Sequence, residues 1–329
     1  MGPGHPMITS VPPGYELRPA TLDELGDLSR FIITYDLEIG GYSDFTEEDL
    51  REISQRKSIF NIQDDTWVVR HEGRIAALAL TWGGGSDFLD AIGAVNRSHV
   101  GLGLGSLLVD CTEERAQALA RDRSDGSLVL RNSVDVKDEN GIALLVGRGY
   151  EFVRRHYTMQ MPLDHAIDPT VPSWIRIRTC GPADLPLLYR LEQETFADHW
   201  GHRPATYEEW SDAFLARKDS EPSLWFVAEA DGDPVGYLTA MFEGSRGWVG
   251  NLGVLSAWRR RGIGGALLRH VFSEFQRRGF TEAGLEVDSG NETGAVGVYE
   301  RAGLEVVREY ETFEKSIVAA TDDRVRREA

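Results

Sequence analysis

The chain of 329 residues contains one internal repeat, with an offset of about 159 residues. Four pairs of short segments carry it: 17–20 with 177–180, 67–73 with 225–232, 103–105 with 262–264, and 149–150 with 303–304. Self-similarity at one offset is the signature of a duplicated structural unit. We therefore predict two copies of one fold, in domains 14–162 and 174–318, joined by a proline-rich linker at 163–173.

The order of elements is similar in both copies. Each begins with an early strand, continues with helices and a β-hairpin, and later has a long helix between apolar strands, which predicts an α/β fold. We expect helices over 21–33, 47–55, 182–196, 206–216 and 262–278, hairpins over 66–82 and 224–242, and two short closing strands over 305–307 and 310–314.

A basic, glycine-rich turn in the second copy predicts an anion site. The sequence from Arg259 to Ala266 reads Arg-Arg-Arg-Gly-Ile-Gly-Gly-Ala, and it lies between an apolar strand and an amphipathic helix. The first backbone N–H groups of a helix have no intrahelical partner, and the helix dipole adds positive charge there. Glycines let a pyrophosphate approach the backbone, while arginines offer charge-assisted hydrogen bonds.

A second cluster of residues follows that helix. An apolar strand over 283–288 leads to Asn291, and the next helix carries Tyr299 and Glu300 before it ends at Gly303-Leu304. Together with the Arg-x-x-Gly-x-Gly turn, this pattern over 248–304 resembles the acyl-CoA site of the GNAT superfamily of N-acetyltransferases. The tandem layout is similar to that of mycothiol synthases and other two-domain GNAT enzymes.

The resemblance implies a fold, a co-substrate and a set of site residues. Each domain is expected to be a GNAT domain, a mixed, mostly antiparallel sheet with helices on both faces, and acetyl-CoA is the expected co-substrate. The predicted cofactor-binding residues are Leu252, Gly253, Val254, Arg259, Arg260, Arg261, Gly262, Ile263, Gly264, Gly265, Ala266 and Asn291. Asn291 has a second interpretation, as the cap of the helix that carries Tyr299.

Tyr299 is the predicted catalytic residue. A thiol titrates near ~8.5 and a tyrosine near ~10, so a tyrosine is suited to protonate a departing thiolate. A backbone N–H on the strand 252–254 is the expected oxyanion donor, and Gly253 is the expected position of a β-bulge. For the general base, the sequence leaves Glu243, Glu286 and Asp288 open.

The first copy lacks these chemical groups. Val100 or a neighbour takes the place of Arg259, and Leu145 takes the place of Tyr299. A leucine has no proton to donate, so we predict a non-catalytic domain. Its glycines, from Gly101 to Gly105, still leave backbone amides for a pyrophosphate.

Composition limits partners and location. A net charge of −18 and a pI near 4.9 argue against nucleic-acid binding and agree with a cationic amine acceptor. Cys111 and Cys180 give neither a disulfide framework nor metal-ligand spacing, and no metal site is predicted. Without an 18-residue apolar run or a signal peptide, a cytoplasmic monomer or homodimer without membrane contact is expected.

The predicted reaction is transfer of an acetyl group from acetyl-CoA to the primary amine of a small molecule, by direct attack. Two alternatives stay open: a protein or peptide amine acetyltransferase, and a CoA-binding scaffold without turnover. Trp200, Tyr207 and Trp210 are candidate lining residues for the acceptor, with core packing as the other interpretation.

Overall fold

The computed structural model describes residues 11–43, 45–83, 87–197, 199, 204–215, 220–243, 246–290 and 294–319, without the side chains of Ala213, Ser220 and Glu243. The chain divides into two compact units. Unit 1 comprises Met1–Arg155 and Glu309–Ala329, and unit 2 comprises His156–Arg308.

Unit 1 has a sheet in the order β1-β2-β3-β4-β5-β12. Its elements are β1 (Tyr15–Arg18), α1 (Leu25–Ile39), α2 (Glu47–Gln55), β2 (Thr66–His71), β3 (Arg74–Trp82), β4 (Phe88–Val95), α3 (Leu104–Arg121), β5 (Ser127–Asp135), α4 (Glu139–Gly147), the first part of β6 (Glu151–Pro162) and most of β12 (Glu305–Val318). The β4–β5 pair is parallel, and the other neighbours are antiparallel.

Unit 2 repeats this arrangement in the order β6-β11-β10-β9-β8-β7. Its further elements are β7 (Ile175–Thr179), α5 (Leu185–Phe196), α6 (Tyr207–Leu215), β8 (Ser220–Ala230), β9 (Asp233–Glu243), β10 (Arg246–Val254), α7 (Ile263–Arg277), β11 (Glu282–Asp288) and α8 (Ala295–Arg301). The β10–β11 pair is parallel, and the others are antiparallel. The predicted fold class, with a mixed sheet in each half, is confirmed.

Alternating side chains of β8 explain why unit 2 has helices on both faces of its sheet. Successive residues of a strand point to opposite faces. Trp225 and Val227 pack in a cluster with α5 and α6, whereas Phe226 and Ala228 pack with α7. The apolar run in this strand is therefore continuous rather than alternating, as buried strands of α/β folds usually are.

The two hairpins end in the same kind of turn. Glu72 and Gly73 join β2 to β3 with φ of 50° and 77°, and Asp231 and Gly232 join β8 to β9 with φ of 52° and 91°. Positive φ at both central residues is typical of the turn that matches the right-handed twist of a hairpin. The repeat found in the sequence is thus present in the backbone.

The element bounds differ most from expectation at α1 and at β12. Helix α1 continues to Ile39, beyond the predicted end at residue 33. The two predicted closing strands are wrong, because residues 305–318 form the single strand β12. The compact units also divide β6 and β12, whereas the predicted domains 14–162 and 174–318 keep each strand whole.

Candidate active site

A gap between two parallel strands opens the sheet of unit 2. The pairing of β10 with β11 runs from Arg246–Glu282 to Val249–Leu285, but β10 continues to Val254 and β11 to Asp288. Beyond Val249, β10 stays paired with β9 on its other side. The edge of β10 from Leu252 to Val254 therefore faces the gap, which makes its backbone groups available to a ligand.

The β-bulge of β10 lies at Gly250, so the prediction of a bulge at Gly253 is wrong. The register with β9 shifts between Val249 and Asn251. The backbone N–H of Asn251 donates to the Thr239 hydroxyl at 3.2 Å. A β-carbon on Gly250 would lie 3.1 Å from the Met241 methyl carbon, which is the end of a flexible side chain. A bulge re-aims the next side chain, here that of Asn251.

Gly253 has a different role, which is to leave room for α5 and β9. A β-carbon on Gly253 would lie 2.5 Å from Cε1 of Tyr237 and 2.9 Å from Cβ of Thr195, and closer still to the Thr195 hydroxyl. Both neighbours are buried. At the equivalent position of unit 1, a buried alanine, Ala94, is accommodated.

The loop that follows β10 has the geometry of an anion site. Arg260 adopts a left-handed φ of 62°, and Gly262 caps α7 with φ of 84° and no side-chain hydrogen bond. The first helical bond runs from the Ala266 N–H to the Gly262 carbonyl at 3.0 Å. The amides before Ala266 therefore point out of the helix end, where an anion finds both donors and the positive end of the dipole.

The three arginines of the loop have different surroundings. Arg259 turns inward: its Nε donates to the Val254 carbonyl at 3.1 Å, and its Nη2 donates to the Thr195 carbonyl at 3.3 Å. Arg260 and Arg261 are exposed beside the helix end. The sequence did not predict that Arg259 ties the loop to α5.

Tyr299 lies on α8, which packs against the start of α7. The two helices are in contact at Gly264 of α7, because a β-carbon built on Gly264 would lie 3.7 Å from Cγ1 of Val298 on α8. The Tyr299 side chain is 8% exposed, and burial raises its pKa to about 12. The phenol is therefore fully protonated at neutral pH, as a proton donor requires.

A carboxylate that the sequence analysis missed lies on α5. Glu192 accepts hydrogen bonds from the Trp210 indole at 2.9 Å, the Asn251 amide at 3.1 Å and the Tyr237 hydroxyl at 3.4 Å. Burial and the Glu192 charge raise the pKa of Tyr237 well above its usual value. The sequence contained one signal that pointed to a polar partner for β10, because Asn251 is a polar residue inside its apolar run.

The remaining predicted site residues have mixed outcomes. Ile263 and Ala266 are buried in the core, and the Ala266 N–H donates to the Gly262 carbonyl, so of these two residues only Ile263 has a backbone N–H available to a ligand. Asn291, Trp200 and the Glu243 side chain lie outside the described residues. Glu286 is exposed and Asp288 is half-buried. No cluster of three metal-ligating side chains occurs in the described part of the chain.

Unit 1 keeps the backbone of this site but not its side chains. Gly103 caps α3 with φ of 81°, and Gly101 has the left-handed conformation of Arg260. The Tyr150 N–H donates to the Leu145 carbonyl as the Leu304 N–H does to the Tyr299 carbonyl, so Leu145 occupies the position of the tyrosine.

A cavity of about 630 Å³ lies on this face of unit 1. It is lined by the ends of β4 and β5, the loop 100–106 and α4. Asn132 lines it and is 8% exposed, and its amide nitrogen has no hydrogen-bond partner among the described residues. The cleft of the fold is therefore open in unit 1, where Leu145 occupies the position that Tyr299 has in unit 2.

Two parallel strands that separate, a glycine-capped helix beside them, a basic loop and a buried tyrosine define an acyltransferase that uses an acyl-CoA donor. The cradle for the pyrophosphate fits, because nothing lies within 4 Å of a β-carbon built on Gly262. No helix in the described segments has the length and apolar character needed to cross a bilayer.

Comparison with known proteins agrees with this class. Residues 185–304 match the model of the Acetyltransferase (GNAT) family. The chain is 27% identical over 141 residues to the [ribosomal protein bS18]-alanine N-acetyltransferase of Escherichia coli K12, which covers 43% of this chain and 85% of that protein.

Solved structures are similar over nearly the whole chain. A GCN5-related N-acetyltransferase from Sphaerobacter thermophilus is 27% identical, with a TM-score of 0.82 over 95% of this chain and 99% of that one. A tandem GNAT protein from the clavulanic acid biosynthesis pathway shares the fold, at 16% identity and a TM-score of 0.65 over 93% and 99% of the two chains. Residues 185–304, which lie within unit 2, carry the match to the GNAT acetyltransferase family, and acetyltransferases of this family use acetyl-CoA as co-substrate.

Proposed function

We propose that unit 2 transfers an acetyl group from acetyl-CoA to the primary amine of a small molecule by direct attack. The observation that carries the proposal is Tyr299. It is buried on α8 beside the glycine-capped end of α7, with its pKa raised to about 12. We assign this phenol the role of proton donor, a role that a site which only binds CoA does not need.

Each part of the unit 2 site has one role in the proposed reaction. The first turn of α7, with Arg260 and Arg261, binds the pyrophosphate through amides and guanidinium groups. A backbone N–H of β10 between Leu252 and Val254 stabilises the developing oxyanion, because this edge faces the gap in the sheet. Acetyl-CoA supplies the activated thioester. Tyr299 gives its proton to the departing sulfur, and the proton that the attacking nitrogen loses passes to water, from which the phenol is protonated again.

The acceptor side is formed by α5 and the bulged part of β10. The Glu192 carboxylate accepts a hydrogen bond from the Asn251 amide at 3.1 Å, so both polar groups lie at the bulged part of β10. These groups suit a polar acceptor that carries an amine. The net charge of −18 also attracts a cationic molecule at long range.

A protein amine is the second candidate acceptor. The observation in its favour is the E. coli relative, whose name identifies it as an N-acetyltransferase for an alanine of a ribosomal protein. In this alternative the unit 2 chemistry stays the same, and only the group presented at α5 differs.

We propose that unit 1 has no catalytic role. Leu145 replaces the proton donor, and Val100, Gly101 and Leu102 replace the three arginines of the loop. A buried leucine, 4% exposed, has no polar group to offer at that position.

The first experiment is a calorimetric titration of the full chain with acetyl-CoA. We expect one binding site, abolished by Gly262→Glu and retained by the matched substitution Gly103→Glu in unit 1. A chain that binds no acetyl-CoA, or that loses binding with Gly103→Glu, contradicts the proposal.

The acceptor is tested by thiol release against a panel of small primary amines and of peptides with different N-terminal residues. Release with small amines supports the main proposal. Release with peptides alone, with a matching mass increase on the peptide, supports the protein acceptor instead.

A further inference from the structure

Two stacked tryptophans lie at the entrance to the loop of unit 2. The rings of Trp174 and Trp258 have centroids 6.2 Å apart and an interplanar angle of 22°. Trp258 ends the short 3-10 turn Ser256–Trp258 that leads into the loop, and Trp174 directly precedes β7. The Trp174 side chain is 42% exposed, which leaves aromatic surface in contact with solvent.

A cation completes the stack. The guanidinium carbon of Arg261 lies 4.8 Å from the centroid of the Trp258 ring. This contact orients the guanidinium by attraction to the ring face. Arg261 has no ion-pair partner within the described ranges, so its charge is available at the residue that directly precedes Gly262.

The segment 163–173, which leads to Trp174, is hydrogen-bonded to α7. The side chain of Gln276 on α7 accepts a hydrogen bond from the Ile167 N–H at 3.0 Å and donates to the Leu163 carbonyl at 3.2 Å. Arg269, also on α7, donates to the Thr170 carbonyl at 3.3 Å. The predicted linker is therefore attached along α7, and its end presents Trp174 beside the start of the same helix.

Unit 1 lacks this arrangement. At the positions of Trp258 and Arg261 it has His99 and Leu102, and at that of Trp174 it has Gly14. The aromatic and cationic groups thus occur in the unit that also carries Tyr299.

We propose that Trp174, Trp258 and Arg261 form a site for the purine nucleotide end of the acyl donor. The exposed face of Trp174 stacks on the adenine ring, while Trp258 stacks on Trp174 itself. Arg261 binds a phosphate oxygen. Aromatic stacking binds any base through its π-face, and guanidinium groups match phosphate geometry. The inference rests on the proposed function, since it requires the pyrophosphate at Gly262.

The test compares two donors on the full chain. Acetyl-CoA carries the purine nucleotide, whereas S-acetyl-4′-phosphopantetheine lacks it. We expect Trp174→Ala to weaken acetyl-CoA binding about ten-fold, as loss of one stacked base does, and to leave the affinity for the truncated donor unchanged. Arg261→Gln should weaken acetyl-CoA as well.

Phe242→Ala is the matched control. Phe242 is 40% exposed and stacked on Phe280, but it lies at the other end of the β9–β10 pair from the loop. Removal of the Phe242 ring should leave the affinities for acetyl-CoA and for S-acetyl-4′-phosphopantetheine unchanged. Unchanged acetyl-CoA binding in Trp174→Ala, or an equal loss for both donors, overturns the inference. Failure of the wild-type chain to bind acetyl-CoA would instead overturn the proposed function.

Discussion

A methyl group at Gly253 has no space in unit 2. In Gly253→Ala the new carbon would lie 2.5 Å from Cε1 of Tyr237 and 2.9 Å from Cβ of Thr195. Tyr237 is fully buried, and the Thr195 hydroxyl is held by the Leu191 carbonyl at 2.7 Å. Since neither neighbour has a free direction in which to move, the strain falls on β10 itself.

The magnitude follows from the cost of overpacking a core. Inserting a methyl group into a filled site costs about 1–3 kcal/mol. In a domain of this size, each 1 kcal/mol lowers Tm by about 2–4 °C. We therefore expect a fall in Tm of roughly 2–12 °C. A displacement of the 252–254 edge by about 1 Å would lower kcat by about 100-fold.

Calorimetric melting and thiol-release kinetics measure the two effects. Gly93→Ala is the control, because Gly93 lies in the equivalent strand β4 of unit 1 and nothing lies within 4 Å of a β-carbon built there. That variant should keep the wild-type Tm and kcat. The double variant Gly253→Ala/Thr195→Ala should recover part of the lost stability. If Gly253→Ala alone melts and turns over like the wild type, the packing argument is wrong.

Three further predictions concern single groups. Tyr299→Phe should lower kcat by about 100-fold or more while the Kd for acetyl-CoA stays the same, because only the proton donor is lost; an unchanged kcat would remove Tyr299 from the mechanism. Glu192→Gln should raise the KM for the amine substrate several-fold and leave the KM for acetyl-CoA unchanged, because the side chain that binds the Asn251 amide loses its charge. Equal changes in both KM values would contradict this assignment. Arg277 and Arg278 lower the pKa of Glu274 from 4.5 to about 2, so its contribution to stability is complete above pH 4.5 and disappears as the pH falls towards 2. Because Arg277 is largely exposed, Glu274→Gln should cost only about 1 kcal/mol in urea unfolding at pH 7 and nothing near pH 2; a pH-independent difference would argue against the ion pair.

The sequence was sufficient for features that depend on local rules. The repeat, the glycine-capped helix at Gly262 and the position of Tyr299 follow from the order of residue types, because a turn and a helix start are specified by neighbouring residues. The equivalence of Leu145 with Tyr299 also follows from spacing, and the backbone hydrogen bonds of α4 and α8 agree with it.

Features that depend on distant contacts were missed. Arg259 bonds to Thr195, 64 positions away, and Glu192 meets Asn251 across 59 positions. No local pattern in one sequence specifies such pairs. The misplaced bulge has a similar cause: Gly250 and Gly253 both fit a bulge by residue type, and the register with β9 decides between them.

The division of β6 and β12 between the units limits how this chain can be cut. Residues 156–162 of β6 cover the edge of β11 in unit 2, and residues 310–318 of β12 cover the edge of β5 in unit 1. A gene fragment that starts at the linker would encode unit 2 without the strand on β11, and a fragment that stops there would encode unit 1 without the strand on β5. Each product would present an unpaired strand edge, which is a template for aggregation. Although the two halves of the chain are copies of each other, neither half, cut at the linker, therefore carries all the strands of its unit.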